Sequence, residues 1–580
     1  MTAFLGVEAS LTGRAWYGPD PAMKRQAAAL VQQTGLDPPL AQILARMGVS
    51  AQAVPAFLDP KLRDLLPDPL SLIDMDRVAA RVLAGLDRDE RIAIFADYDV
   101  DGAASAALLI AWFRDHGRSV TLYVPDRLEE GYGPNDAAMS ALADAHDLII
   151  CVDCGTLSHG PIAAAARADV VVLDHHLAGA EIPDCAGVAN PNRPDDTSGQ
   201  GHLCAAAVTF LCLVEMNRQR RAQGEKAPDL MGLLDLVGLA TIADVAPLIG
   251  VNRAFVRQGL RVMAMRTRPG LVALSDIAGL DRPPDSYHLG YVLGPRINAG
   301  GRIGRADLGA RCLSSVDPVE AQGLAQALDR FNTERRAIED DVRRAALEQA
   351  ATRAAGPLCW AAGDGWHAGV VGIVAARLKE AADKPAIVIG FNGDAGKGSG
   401  RSVPGIDLGA AIQRLASEGL IERGGGHKMA AGLSLTRAQL EPAMARLSEI
   451  LARHSDLAQT HRTLSVDGML SAEAATPELV TEIERAGPFG PAARAPRFAL
   501  PDLRLADVRE VGTGHLKITA TDGAHRLEAI AFGAFETRLG PELMGHAGRL
   551  VHLAGRLELN HWQGRLRVQL KLDDGAFAAD

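Results

Sequence analysis

Aromatic residues are scarce in this chain, at 4% of 580 residues. Its cores must therefore be mainly aliphatic, while 60 glycines supply the tight turns between strands and helices. Cysteine is also sparse, with seven scattered copies, which excludes a disulfide scaffold and fits buried thiols in a reducing cytosol. Cys151 and Cys154 make a lone C-x-x-C. No second pair stands ready to complete a zinc site, and Cys151 lies in an apolar run, so both read as core thiols. Positive charge is short: 60 Lys and Arg face 71 Asp and Glu, for a formal net charge of -11. That total would argue against a nucleic-acid partner if charge were evenly spread, but binding depends on local fields. No uncharged apolar run reaches the about 18 residues of a membrane span. The opening MTAFLGVEASLTGRAW lacks the basic start and apolar stretch of a signal peptide. The expectation is a cytoplasmic protein without a membrane partner.

What is present is an ordinary globular balance, 48% hydrophobic and 23% charged. The length calls for about three or four domains. From about 75 to 250, short runs rich in β-branched residues (RIAIFADYDVD, DLIICVDCG, DVVVLDHH) alternate with Ala-rich stretches such as Ala103–His116 and Pro161–Arg167. The runs suit strands buried on both faces and the Ala-rich stretches suit crossover helices, the βαβ pattern of a parallel sheet. Between 317 and 355, Val319, Leu324, Leu328, Phe331, Ile338, Val342 and Leu347 recur at helical spacing, giving a long amphipathic connector that ends at Gly356-Pro357. A second α/β pattern follows, with a helix near Val370–Leu378, a strand at Pro385–Gly390, and glycine-rich loops at 393–400 and 424–426. Beyond about 460, short strands with glycine turns indicate a small β-barrel.

The three strand-like runs share an ending. Asp97-x-Asp99-x-Asp101-Gly102, Asp153-Cys154-Gly155 and Asp174-His175-His176 each follow an apolar run. Ligands of open parallel sheets bind just beyond the carboxyl ends of strands, so the three should converge. Asp244, closing the apolar helix LLDLVGLATIADVAPL, joins them. Such acidic groups repel unless cations are present. Carboxylate oxygens with some imidazole and no thiolate favour Mn²⁺ or Mg²⁺ over zinc, and two such ions can carry phosphoester hydrolysis. Asp174 is as readily a structural cap holding a neighbouring histidine. An EF-hand reading of D-x-D-x-D-G fails, because position 12 is Leu108 and a strand precedes it. The run Gly396–Arg401 contains no G-x-x-x-x-G-K-[ST], so a nucleotide-triphosphate engine is unsupported.

DYDVDG, VDCG, LDHH and ATIADVAPL, in this order, resemble the four motifs of the DHH phosphoesterase superfamily. GPRINAGGR (294–302), WHAGVVGIVAA (366–376), GSGRSV (398–403), GGGHKMAAG (424–432) and GPFGPAARAPRF (487–498) narrow the resemblance to the RecJ-type exonucleases, whose second lobe is a DHHA1 domain. The resemblance implies 5′→3′ degradation of single-stranded DNA with Mn²⁺ or Mg²⁺ in recombination and repair. It implies Asp99, Asp101, Asp153, His175 and Asp244 as metal ligands, with Asp97 and His176 adjoining. Asp101, Asp153 and His175 are thus also the catalytic candidates. GGGH and GSGRS depart slightly from the usual GGH and GSARS contexts, without touching a ligand position. Further expected partners are single-strand-binding protein and a RecQ-type helicase, and the chain is expected to act as a monomer.

Catalysis on a phosphodiester also needs donors around the non-bridging oxygens. Arg296, Asn298 and Arg302 form one candidate group, and Ser399 and Arg401 another, each in a glycine-bearing segment read as a loop. The resemblance places His367 and His427 near the scissile phosphate, with Gly425 and Gly426 packed against substrate and His427 as a candidate proton donor. Between Arg549 and Lys571 five basic residues face one acid, Glu558, and Trp562 lies in a turn-like HWQGR. Trp562 and Arg565 are therefore candidate single-strand contacts of an OB-type domain.

The expected fold is α/β: a parallel-sheet DHH domain (75–316) and a smaller α/β DHHA1 domain (356–455), joined by a long helix (317–355). An OB-like β-barrel follows (456–580), and an N-terminal extension (1–74) packs on the catalytic core. Related pyrophosphatases, short-oligonucleotide hydrolases and cyclic-dinucleotide phosphodiesterases lack the connector, GPRINAGGR and the basic β-region. A scaffold that has lost catalysis would lack metal ligands, all of which are filled here.

Overall fold

The computed structural model describes residues 3–126, 130–353, 356–453, 463–562 and 565–578, with backbone alone at 561, 562 and 565. The chain divides into two compact units, Leu66–Ala246 with Ala254–Gln459, and Met1–Leu65 with Pro247–Arg253 and Thr460–Asp580.

The larger unit is built first on five parallel strands, β1 (Ile92–Ala96), β2 (Thr121–Tyr123), β3 (Leu148–Val152), β4 (Asp169–Leu173) and β5 (Gly187–Ala189), in the order β2-β1-β3-β4-β5. β1 and β3 are wholly buried, which is why they read as continuous apolar runs instead of alternating ones. Ala93, Phe95, Ile149, Cys151, Val170 and Val172 pack beneath the helices Asp136–Ala145 and His159–Ala164. Against the sheet also lie α1 (Val100–Asp115) and α2 (Ala205–Ala222), and α1 in turn packs on α3 (Leu234–Ala243). Cys151 and Cys154 belong to this core as free thiols, and burial pushes both well up. Because β1 connects outward to β2 while the chain returns to β3, the β1/β3 boundary is the point where strand order reverses, the place where ligands of open parallel sheets bind.

The GPRINAGGR segment is α4 (Gly294–Ile303), a helix, entered through the π-helical turn His288–Leu293. Expected as a glycine-bearing loop, it is helical because its glycines lie where neighbours press closest: a Cβ on Gly301 would collide with the Tyr98 ring. The connector is α5 (Pro318–Thr352), capped by Asp317 and burying Leu324, Leu328 and Val342. The second sheet follows, with β6 (Cys359–Asp364), β7 (Ala386–Asn392), β8 (Ala395–Arg401), β9 (Arg423–His427) and β10 (Ala430–Thr436) in the order β9-β10-β8-β7-β6. Only β6 and β7 are parallel within it, and α6 (Ala368–Ala382) packs against it. The stretches 395–400 and 424–426, expected as glycine-rich loops, are therefore strands. Glycine is the weaker strand former, but tertiary packing overrides it: Cβ atoms on Gly398 and Gly400 would press into Ile389 and Ile387 of β7.

In the smaller unit, β11 (Phe498–Val511), β12 (His515–Thr521), β13 (Arg526–Ala531), β15 (Arg565–Phe577) and β14 (Leu550–Trp562) follow one another, and the β11–β14 pairing closes a five-stranded barrel. Most of the segment expected to cover the catalytic core folds here instead. Leu30, Leu40, Ile43 and Leu44 share one apolar core with Leu500, Leu516 and Leu553 of the barrel, and Ala15–Tyr17 pairs in parallel with Thr463–Ser465. Residues 66–74 do stay with the parallel sheet, where the Asp74 carboxylate accepts from Arg193 at 2.9 Å. The two apolar helices at 21–46 and the barrel bury complementary faces, a match that no sequence period reveals. Among the described residues no helix is long and apolar enough to cross a membrane.

Candidate active site

β1 runs straight into Asp97, and Asp99 caps α1, its Oδ1 accepting from the amides of Asp101 (2.8 Å) and Gly102 (3.3 Å). β3 ends at Asp153, which takes a left-handed backbone (φ 60°), an unfavourable conformation for a residue other than glycine that active sites often retain. β4 delivers Asp174, His175 and His176, and Asp244 closes α3. These elements meet at the carboxyl edge of the sheet. Three groups of potential ligand atoms each lie within 4.8 Å of one another: Asp153, His175 and His176; Asp101, His175 and Asp244; Asp97, Asp99 and Asp153. All seven residues read as metal-binding are thus gathered, with Asp153 and His175 each shared between two groups.

His175 is the hub. Its Nε2 lies 3.3 Å from Asp153 and 3.6 Å from Asp101, and its Nδ1 lies 3.8 Å from Asp244. Asp174 stands apart from the three groups as an orienting residue. Its carboxylate accepts from the Thr156 and His175 amides at 3.1 and 2.7 Å and from His176 Nδ1 at 2.8 Å. Burial would raise Asp174, but the His176 ring and these amides outweigh it and hold the carboxyl below its usual range. Burial would likewise lower His176, but Asp174 overrides it and lifts the imidazole to about 9. When His176 is neutral its proton stays on Nδ1, leaving the Nε2 lone pair, now 3.1 Å from the Tyr132 hydroxyl, for a metal.

Burial, then Asp101 and its acidic neighbours, push Asp153 well above the ordinary carboxylate range. Burial and Asp99 raise Asp101 against the pull of His175, and burial with Asp101 and Asp99 brings Asp244 to about 8. These carboxyls cannot all ionise together unless positive charge joins them. Among the described residues Asp153 Oδ1 is buried and receives no hydrogen bond, a costly state unless a cation completes it. An oxygen-rich donor set with imidazole fits a hard divalent cation of the Mn²⁺ or Mg²⁺ kind. Asp101 also has a second task, since both its oxygens accept from the first amides of α2, Ala205 at 2.7 Å and Ala206 at 2.8 Å.

The candidate phosphate contacts separate. Arg296 is engaged with Asp329 of α5 at 2.9 Å and with the Val292 carbonyl, so it clamps two helices. Asn298 accepts from the Val100 amide at 2.9 Å. Arg302 instead reaches the second lobe, donating to the Gly369 carbonyl at 3.1 Å in the first turn of α6. His367 caps that helix, its Nδ1 accepting from the Gly369 amide at 3.1 Å. Ser399 and Arg401 lie on β8 against Gly372 of the same helix, and Arg401 donates to Ser399 Oγ at 3.1 Å. Through β10, Arg401 pairs across Ala430 with His427, and Ser399 across Gly432 with Gly425, so all four share one sheet face. Nothing lies within 4 Å of where a Gly425 side chain would begin. Arg302, His367, Ser399 and Arg401 thus gather around the N-terminal turns of α6, a helix end whose dipole favours negative charge.

Trp562 and Arg565 face each other in the β14–β15 register, but their side chains lie outside the described residues. The other basic residues of this hairpin have partners the local count overlooked: Arg556 meets Asp573 at 3.3 Å, Arg567 meets Glu528 at 3.3 Å, and Arg549 lies over the Phe577 ring.

Sequence reading missed Asn190 and Asn192. Asn190 is buried and donates to the His176 carbonyl at 2.8 Å, and Asn192 donates to the His175 carbonyl at 2.6 Å. Their only signal was the Asn-Pro-Asn turn after β5.

Family comparison agrees with this architecture in three segments. The DHH family N-terminal domain matches 91–241, the DHHA1 domain 354–453 and the RecJ OB domain 466–574. The single-stranded-DNA-specific exonuclease RecJ of Dickeya dadantii is 37% identical over 507 residues, 84% of this chain and 87% of that protein. Its counterpart in Escherichia coli is 35% identical, over 93% of this chain and 96% of that protein. The chain belongs to the RecJ family of single-stranded-DNA-specific exonucleases. Among solved structures, RecJ of Thermus thermophilus in complex with Mn²⁺ matches with a TM-score of 0.79 at 28% identity, covering 97% of this chain and 79% of that one. An exonuclease RecJ bound to manganese matches with a TM-score of 0.58 at 33% identity, over 67% of this chain and 96% of that one.

Proposed function

We propose that this chain removes 5′-mononucleotides stepwise from single-stranded DNA in the 5′→3′ direction, using two Mn²⁺ or Mg²⁺ ions, in recombination and repair. The observation that carries the reading is the span of α4. Asn298 touches the metal-bearing loop and Arg302, four residues on, touches the first turn of α6. The two residues stand about one helical turn apart on α4, so one helix touches both the acidic loop and the start of α6, where a phosphodiester would have to be held.

Asp97, Asp99 and Asp153 would hold one cation, and His175 with Asp101 and Asp244 the other, His176 completing the shared side. Bound there, the cations supply Lewis acidity toward the phosphoryl oxygens and offset charge on the attacking and leaving oxygens. The chain's own residues orient the substrate. Arg302, Ser399 and Arg401 take the non-bridging oxygens, the bare Gly425 and Gly426 let the strand approach, and His427 on the same face donates a proton to the leaving oxygen. Trp562 and Arg565 would hold the strand further along. Single-strand-binding protein and a RecQ-type helicase would supply such strands in the cytoplasm, with this chain acting as a monomer.

Product ladders from 5′- and 3′-labelled single strands test the reading with Mn²⁺ and Mg²⁺ in turn. The 5′ label should leave at once as a mononucleotide while the 3′ label shortens progressively. The reverse pattern, or a preference for dinucleotides over long strands, would overturn it.

A further inference from the structure

The loop carrying Asp97, Asp99 and Asp101 runs into the N-terminus of α1, where the first amides have no helical partner. Their acceptors can be accounted for one by one. The Ala103 amide bonds the Asp99 carbonyl at 2.9 Å, as in any first turn. The Asp101 and Gly102 amides bond Asp99 Oδ1. The Val100 amide remains, and it is answered from 198 residues away by Asn298 Oδ1 at 2.9 Å. An amide donor fixes the side chain's orientation: the oxygen of Asn298 must face Val100. The same helix presses Gly301 against the ring of Tyr98, between two of the acidic residues.

We infer that Asn298 is a positioning residue of the metal centre, acting through its side-chain oxygen on the Val100 amide and not through phosphate. Without it, the Val100 amide would lose its acceptor at the start of α1, and the loop that carries the three acidic residues would lose a fixed point. Asn192 does the complementary work at the other wall, as a donor: its Nδ2 bonds the carbonyls of His175 at 2.6 Å and Gly201 at 3.2 Å. The two asparagines therefore use opposite ends of the same amide group.

This assignment rests on the metal reading above, and its test separates the two. Mn²⁺ affinity of the full chain is measured by the paramagnetic resonance of free Mn²⁺, without DNA, for wild type and for Asp153→Ala, Asn298→Ala, Asn298→Asp and Asn192→Asp. Substitution of outer-shell partners typically weakens metal binding about 10- to 100-fold, the loss expected for Asn298→Ala. Asn298→Asp keeps the acceptor and should bind Mn²⁺ as wild type does. Asn192→Asp turns a donor into an oxygen facing two carbonyls and should fall like Asn298→Ala. Wild-type affinity in Asn298→Ala, with only the KM for DNA raised, would return Asn298 to a phosphate contact and overturn the inference. An Asn298→Asp protein that is folded but binds Mn²⁺ weakly would also overturn it, and this arm decides alone if Asn298→Ala does not fold. Unchanged binding in Asp153→Ala would instead remove the metal reading itself.

Discussion

The two sheets of the larger unit meet phosphate chemistry with opposite materials. At the carboxyl edge of β1, β3 and β4, strands end in carboxylates so buried and so close that Asp153 and Asp244 are held far from their ordinary protonation. In β8 and β9 glycines stand between and beside Ser399, Arg401 and His427, most of them pressed by neighbours, while Gly425 faces open space among the described residues. A cation is held by concentrating negative charge where water is excluded. A phosphate is held by exposing amides and placing arginines beside them. In the proposed reading the cations meet the phosphoryl oxygens at the first sheet while the arginines steady them from the second, and α4 touches both sides.

The division is broken or sharpened most strongly by exchanging a residue on each side. Asp153→Asn should lower kcat by more than the about 100-fold that outer-shell changes reach, with Mn²⁺ affinity lost and strand binding kept. Arg401→Ala should cost about 10²- to 10³-fold in kcat, as for loss of a transition-state donor, with Mn²⁺ affinity intact. Metal titration and turnover measured together check the pair; a fall in Mn²⁺ affinity in Arg401→Ala would mean the sides are not separable.

A smaller effect distinguishes two adjacent glycines. Gly426 has φ 147° and a Cβ there would collide with the Ala430 carbonyl, so Gly426→Ala should destabilise the chain by about 1–3 kcal/mol. Gly425 has open space, so Gly425→Ala should stay within about 0.5 kcal/mol of wild type while raising the KM for DNA several-fold. Thermal unfolding and steady-state kinetics read the two effects; an unchanged KM in Gly425→Ala would show that the strand does not pass there.

The smallest effect belongs to the barrel. Arg567 is exposed and meets Glu528 at 3.3 Å, a pair that contributes little to stability. If it contacts the strand, Arg567→Ala should reduce the salt dependence of long-strand binding by the about 0.7 per phosphate seen for single strands and leave short oligonucleotides unaffected. Equal loss on both lengths would place its role elsewhere.

The catalytic edge was legible because it is local. Three apolar runs each ending in Asp or His are written consecutively in the chain, and a parallel sheet brings such ends together without further information. The glycine segments were not legible in the same way. GPRINAGGR and the stretch around Ser399 read as loops, since isolated glycines favour turns. They form a helix and a strand because Tyr98, Ile387 and Ile389 press where a side chain would otherwise stand. Arg296 looked like a phosphate contact and is engaged with Asp329, and the basic hairpin at 549–571 is partly answered by Glu528 and Asp573. In each case the partner lies on another element, beyond the reach of a local charge count.

By itself the sequence determined which residues could bind metal and which strands would present them, because period, burial and strand ends follow from short-range order. Only the tertiary structure decided that Asp174 orients His176 instead of joining the three ligand groups. It alone decided that Ala27, Leu30, Leu40, Ile43 and Leu44 join the barrel's core. And it alone decided that Asn190, Asn192 and Asn298 steady the loops of the site. These are choices of hydrogen-bond partner across long stretches of chain, and a buried amide or carbonyl takes its partner from whatever the fold sets beside it.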